Sequence, residues 1–298
     1  MSRIHDALKR AEQDRATSLG GHVEPVTEVA EPQPVAVPSP SLAATAVMPT
    51  LTSTITYETL LARCPQSQWS PDSRSMLFFD NEENRAGAEE FRTLRSRLYQ
   101  IREKLPLKKL MVTSALPKEG KSFVSANLAQ VMVKQHGRRA LVIDADLRSP
   151  GMHRHLGAQQ SPGLAEYLMG ETDEFGILQR GSMENLFFVP AGRSTSGAPE
   201  LLSNGRLKLF LQRMEPMFDW IILDTPPVIP VSDSTLLANF CDGVLMVVRA
   251  NSTPSDLARR AREEFQDKLL LGVVLNGAQP ELPKSRYYYY GEAQGNHA

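Results

Sequence analysis

The sequence predicts an α/β fold, a mainly parallel sheet with helices over both faces, and three observations point there. Six short apolar runs, Leu110–Thr113, Ala140–Ile143, Phe187–Val189, Trp220–Leu223, Gly243–Val248 and Leu271–Leu275, are separated by helical or loop stretches. Runs of this length without polar alternation suit strands covered on both sides, the pattern of parallel sheets. The first run leads into a Gly-Lys-Ser loop and then a helical stretch, and two other runs end in aspartate. Right-handed crossovers would gather those loops at the carboxyl ends of the strands, where such sheets bind ligands.

The 298 residues allow one good-sized domain with extensions. A formal net charge of −1 with 22% charged residues gives no basic footprint, so no nucleic-acid partner is expected. Cys64 and Cys241 are far apart and lack histidines at metal-ligand spacing, which excludes a disulfide framework and a structural zinc site and suits a reducing cytosol. No apolar run reaches the ~18–20 residues that span a bilayer. The chain is therefore expected to be cytoplasmic.

In chain order, residues 1–16 form a short helix with Ser2 as N-cap and a narrow face of Ile4, Leu8 and Ala11. That stripe either docks on a partner or frays. Residues 17–56 lack Lys and Arg and contain Pro25, Pro32, Pro34, Pro38, Pro40 and Pro49, the composition of a disordered linker. In residues 57–85 apolar residues return without a period, which predicts an irregular lead-in. Phe91, Leu94, Leu98 and Ile101 then recur at three- and four-residue spacing and predict a helix over 86–105. Glu89, Arg92 and Arg95 share that helix; spacing alone describes an ordinary solvated face with i,i+3 pairing. A catalytic domain is expected over 86–280 and a flexible tyrosine-rich tail over 281–298.

The chemistry starts after Thr113. Ser114-Ala-Leu-Pro-Lys-Glu-Gly-Lys-Ser122 matches the phosphate-loop pattern at Gly120, Lys121 and Ser122, with Ala115 where the first glycine belongs. Gly120 lets backbone N–H groups close on phosphate oxygens, and the following helix adds its dipole. Lys121 would reach the β/γ-phosphates, and Ser122 would ligate Mg²⁺. The expected nucleotide-contact set is Ala115, Pro117, Lys118, Glu119, Gly120, Lys121, Ser122 and Phe123. Lys118 either assists phosphate binding or points to solvent. Asp144 and Asp146 stand two residues apart just past one strand, hence on one side of an extended chain, and Asp224 closes another. Each aspartate alone could be a turn or cap residue. All three beside a phosphate loop point to ATP with Mg²⁺, in a P-loop NTPase fold.

With these motifs in view, residues 86–291 resemble the bacterial tyrosine kinases of capsule and exopolysaccharide assembly. The likeness rests on Glu119-Gly-Lys-Ser122, Asp144-Ala-Asp-Leu-Arg148, Ile221-Ile-Leu-Asp-Thr-Pro-Pro227, Glu89-x-x-Arg92-x-x-Arg95 and the terminal Tyr287-Tyr-Tyr-Tyr290. Ser2-Arg-Ile-His-Asp-Ala-Leu-Lys-Arg-Ala11 likewise resembles the start of autokinases from exopolysaccharide loci. The resemblance implies Lys121, Asp144 and Asp146 as catalytic, with Asp144 the base candidate, and Asp146 and Asp224 holding Mg²⁺ together with Ser122. It adds Arg148 and Asn276 to the nucleotide site, although an Asn closing a strand is as often a turn residue.

Further implications are ring-like self-association through Glu89, Arg92 and Arg95, and a transmembrane chain-length (co-polymerase) protein as activator. The activator would hold the chain at the inner membrane. Consecutive Tyr287, Tyr288, Tyr289 and Tyr290 cannot all face one interior, so the run is either a phosphorylation substrate or a docking segment. A partition-type ATPase switch is the rival, but Leu116 stands where that branch carries a signature lysine.

Overall fold

The computed structural model describes residues 55–64, 66–79 and 86–278. The expected leading helix, nearly all of the expected Pro-rich linker and the tyrosine tail lie outside the described residues. In chain order the elements are α1 (Tyr57–Arg63), α2 (Ala88–Arg102), β1 (Lys109–Ser114), α3 (Lys121–Val133), β2 (Ala140–Asp144), α4 (Met152–Leu156), α5 (Leu164–Met169), α6 (Glu174–Ile177), β3 (Gln179–Arg180), β4 (Leu186–Val189), α7 (Ala198–Ser203), α8 (Arg206–Met214), β5 (Trp220–Asp224), α9 (Asp233–Ala238), β6 (Gly243–Arg249), α10 (Ser255–Glu263) and β7 (Leu270–Asn276).

All six predicted strands form. They join in the order β3-β4-β2-β5-β1-β6-β7, with parallel pairs everywhere except β3–β4. Alternation along each strand sends side chains to two apolar layers. Leu141, Ile143, Ile221 and Leu223 face a core shared with α1, α5, α7 and α8. Ala140, Val142, Trp220 and Ile222 face the other, shared with α2, α3 and α4. This two-sided cover is why the inner strands read as unbroken apolar runs, whereas the edge strand β7 leaves Val273 and Leu275 exposed.

The predicted helix over 86–105 forms as α2, which buries Phe91 and Leu98. The stretch over 57–79 is irregular after Arg63, as expected, but not at its start. It begins with α1, capped by the Thr56 hydroxyl, which accepts from Thr59 N at 3.2 Å. Leu60 and Cys64 are buried, and the Tyr57 ring meets Phe187 and Phe218 edge-on at centroid distances of 6.0 and 6.5 Å. Residues 75–78 are then held by side chains of α3. Asn127 accepts from Leu77 N at 2.8 Å and donates to Ser75 O at 2.8 Å, while Gln130 accepts from Phe78 N at 3.3 Å. Buried Asn and Gln thus replace the ladder that an irregular segment lacks. If this lead-in belongs to the core, Leu60→Ala costs ~2–5 kcal/mol in urea unfolding. A loss below ~1 kcal/mol would mean that α1 adds little to the fold.

Candidate active site

β1 delivers the chain into residues 115–120, and α3 begins immediately after them. Gly120 has φ +95°, and a Cβ there would come within 2.0 Å of Asn276 Nδ2. Only glycine fits. Asn276, expected at the nucleotide site, donates through Nδ2 to Glu119 O at 2.9 Å and so is bonded to the phosphate loop. Glu119, buried, accepts from Leu116 N at 2.7 Å and from the hydroxyl of Thr253. Arg249 donates to Lys118 O at 3.3 Å. The loop is therefore shaped by its own Glu119 and tied to the ends of β6 and β7 with no ligand needed.

Lys118 (φ +64°) and Pro117 are exposed, whereas Ala115 is buried. Phe123 meets Phe91 of α2 edge-on at 5.8 Å. Expected as a nucleotide contact, it anchors the start of α3 to the core.

The predicted acids converge on Lys121. Its Nζ lies 3.2 Å from Asp146 Oδ2, and both side chains are largely buried. Asp144 and Asp224 are register partners on adjacent strands β2 and β5, both buried. Asp144 Oδ1 accepts from Asp146 N at 3.2 Å, and Oδ2 accepts from Gly151 N and Met152 N, each at 3.1 Å. Asp224 Oδ1 accepts from the Ser125 hydroxyl at 3.1 Å, while its buried Oδ2 has no hydrogen-bond partner.

Electrostatics follow from this crowding. Burial raises the Asp144 carboxyl well above the usual carboxylate range, and Asp224 adds to the rise against the pull of Met152 and Gly151 N–H. Burial raises Asp224 too, with Lys121 and the Ser122 and Ser125 hydroxyls holding it down in part. For Lys121, burial opposes the charge, but Asp224, Asp146 and Asp144 outweigh it and keep its pKa above the ordinary lysine value. Three carboxylates share one ammonium, and one buried oxygen is orphaned. Such a cluster is short of positive charge and fits a divalent cation.

Among the described residues no three His, Cys, Asp or Glu side chains close on one point as a ready-made metal cage. Mg²⁺ takes one or two carboxylates and fills its other positions with water and phosphate oxygens. Ser122, Asp146 and Asp224 remain the residues that would hold it. A cavity of about 380 Å³ lies elsewhere, lined by Val133, His136 and Glu184 near the amino ends of β2 and β4, and contains none of these groups.

Arg148, expected at the nucleotide, is engaged by the buried Asp233 of α9 through Nε at 2.6 Å and Nη2 at 3.1 Å. Of the self-association residues, Arg92 pairs with Glu89 at 3.0 Å, the i,i+3 arrangement that spacing alone suggested. Arg95 donates to Val131 O at 2.9 Å, near the end of α3. Sequence reasoning missed Ser125, although it lies one helical turn beyond Ser122. It also missed Arg249, Thr253 and Asp233, whose partners are distant in the chain.

Known proteins resemble this chain in sequence and fold. A family model described as an AAA domain matches residues 118–255. Tyrosine-protein kinase YwqD of Bacillus subtilis is 34% identical over 207 residues, 68% of this chain and 86% of that one. Some longer relatives are matched over only 28% or 22% of their length. The kinase domain of the Escherichia coli tyrosine kinase ETK superposes with a TM-score of 0.62 at 29% identity, over 69% of this chain and 80% of that one. The crystal structure of the chimerical protein CapA2B2 gives 0.64 at 25% identity, over 74% and 98%. With a phosphate loop, a lysine and three strand-end acids in one cluster, and with YwqD matched along most of its length, the chain belongs to the bacterial tyrosine-protein kinases.

Proposed function

We propose that this kinase is an ATP- and Mg²⁺-dependent autokinase that phosphorylates the Tyr287–Tyr290 cluster of another copy of itself, and that it regulates exopolysaccharide or capsule polymerisation and export. The observation that carries the reading is the convergence of Lys121, Asp146, Asp144 and Asp224 beside the phosphate loop. Mg²⁺ bound with ATP supplies the charge neutralisation that a phosphoryl group needs in transfer. The chain's own groups do the rest. Gly120 and the start of α3 cradle the phosphates, and Lys121 exchanges its bond to Asp146 for phosphate oxygens. Ser122, Asp146 and Asp224 hold the cation, and Asp144, its affinity for protons raised by burial, accepts the tyrosine proton.

The tail suits the acceptor role. Asn276 contacts the phosphate loop, and Tyr287 follows 11 positions later in the chain. Such a stretch spans at most ~35–40 Å, so a tail reaches a neighbour's site where copies assemble closely. Glu89, Arg92 and Arg95 would supply that assembly, and a transmembrane co-polymerase the activation and the place at the inner membrane. Support for such a partner comes from the CapA2B2 likeness and from the amino-terminal resemblance to exopolysaccharide autokinases. Among the described residues no helix is long and apolar enough to cross a membrane.

A mixing experiment tests the reading. Lys121→Met protein with an intact tail is incubated with Mg-ATP and a chain whose four terminal tyrosines are changed to Phe. Phosphotyrosine on the Lys121→Met chain is the expected result. Label that appears only when site and tail share one chain would refute transfer between copies, and no label on wild-type protein would favour the ATPase-switch alternative.

A further inference from the structure

The acids of the site sit at two strand ends: Asp144 closes β2 with Asp146 in the loop that follows, and Asp224 closes β5 ahead of a second loop. The two are joined at their roots, where Asp144 and Asp224 are register partners and Ala145 N donates to Asp224 O at 2.8 Å, and beyond that point each loop is held by further bonds. In the first, Asp146 accepts from Ser149 N at 3.0 Å and Asp144 from Gly151 N and Met152 N. In the second, Pro226 O accepts from Thr113 Oγ1 at 3.0 Å and Ser234 Oγ at 2.5 Å. The one ion pair between them among the described residues is Arg148–Asp233. Asp233 is 1% exposed at its side chain and Arg148 32%. Arg148 holds it bidentately and is itself fixed from behind, since Ser194 Oγ donates to Arg148 O at 2.6 Å and Thr195 N to Leu147 O at 2.9 Å.

A pair of a buried carboxylate with a partly exposed guanidinium is a poor way to gain stability, because desolvation of Asp233 and solvent screening of Arg148 offset the attraction. What a bidentate guanidinium–carboxylate pair supplies is direction and a fixed distance. Here that distance lies between segments whose carboxylates must meet one small, geometrically demanding cation. Arg148 is two residues from Asp146, and Asp233 begins the helix that follows the Asp224 loop.

We propose that Arg148 and Asp233 are positioning residues: beyond the backbone tie at Ala145, their ion pair holds the loop of Asp146 against the segment that follows Asp224 and thereby tunes Mg²⁺ affinity, without Arg148 touching the nucleotide. This rests on the reading that Asp146 and Asp224 hold Mg²⁺. It assigns Arg148 a role different from the nucleotide contact that the sequence motif implied.

The test reads metal binding directly. A fluorescent ADP analogue is bound to the full chain without divalent cation, and Mg²⁺ is then titrated into the complex. Asp233→Asn keeps the side-chain shape and removes the charge; Arg148→Lys keeps the charge and removes the fork. Asp233→Asn is expected to weaken Mg²⁺ binding by roughly 10–100-fold, the range for outer residues that orient metal ligands, and Arg148→Lys by less. Metal-free binding of the analogue stays within about twofold for both. Loss of metal-free binding in Arg148→Lys would overturn the proposal and return Arg148 to the nucleotide. Unchanged Mg²⁺ affinity in both folded variants, checked by far-ultraviolet circular dichroism, would also overturn it and leave the pair as a tie of the fold. Asp224→Asn in the same titration separates the two levels: if it binds Mg²⁺ like wild type, the assigned cation ligands are wrong and the proposal falls with them.

Discussion

Lys121→Met abolishes tyrosine phosphorylation, with an expected loss of at least ~10³-fold in the initial rate at saturating Mg-ATP, the scale on which a single cationic group acts in phosphoryl transfer. Lys121 is the one ammonium among Asp144, Asp146 and Asp224, and it lies 3.2 Å from Asp146. Its loss also leaves those acids without their countercharge in the empty protein. Thermal stability at pH 8 without nucleotide therefore falls, by about 2 kcal/mol or roughly 4–8 °C. A Lys121→Met protein as active as wild type would remove the lysine from the chemistry.

Asp224→Asn should abolish transfer just as completely and yet move stability the other way. In the folded chain the Asp224 pKa lies above its unfolded value, because burial opposes ionisation. A carboxyl raised in this way favours the folded state at low pH. That advantage is lost as pH rises, when the buried group must ionise beside Asp144 and Asp146. Replacing it with a neutral isostere removes the penalty. Metal-free Asp224→Asn is expected to melt roughly 4–8 °C above wild type at pH 8, a gain of about 2 kcal/mol, and the gain should shrink toward pH 4. Mg-ADP stabilises wild type and adds little to the variant. Opposite stability changes with the same loss of activity mark a site strained for its ligand, as active-site charge clusters often are. A metal-free variant that melts below wild type at pH 8 would contradict the account of Asp224.

How much of this was legible in the sequence follows from where each residue finds its partner. Five of the six strands were readable because both faces are covered, so every position in runs such as Ala140–Ile143 and Trp220–Leu223 is apolar, while β7 keeps an apolar run although Val273 and Leu275 are exposed. The phosphate loop and the acids were readable because the chemistry sits at strand ends within a few residues of the pattern. β3 has two residues and no period to detect. Within the irregular lead-in, α1 and the packing were not legible, because Leu60, Trp69, Met76, Leu77 and Phe78 bury without a repeat and the backbone is held by Asn127 and Gln130 of a helix some 50 residues further on. Arg148 and Asn276 were assigned by motif to the nucleotide. Their partners, Asp233 and Glu119, lie 85 and 157 positions away, beyond any spacing rule.

The central claim is that Lys121 and the three strand-end acids surround a single nucleotide–cation complex. Diffraction from crystals grown with ADP and Mn²⁺, recorded for the anomalous signal of manganese, tests it most directly. One manganese peak within coordination distance of Ser122 Oγ or of an Asp146 or Asp224 carboxylate oxygen, with the β-phosphate against Lys121 Nζ, is the predicted result. A manganese site away from these acids, or ADP bound with Lys121 still paired to Asp146, would contradict it.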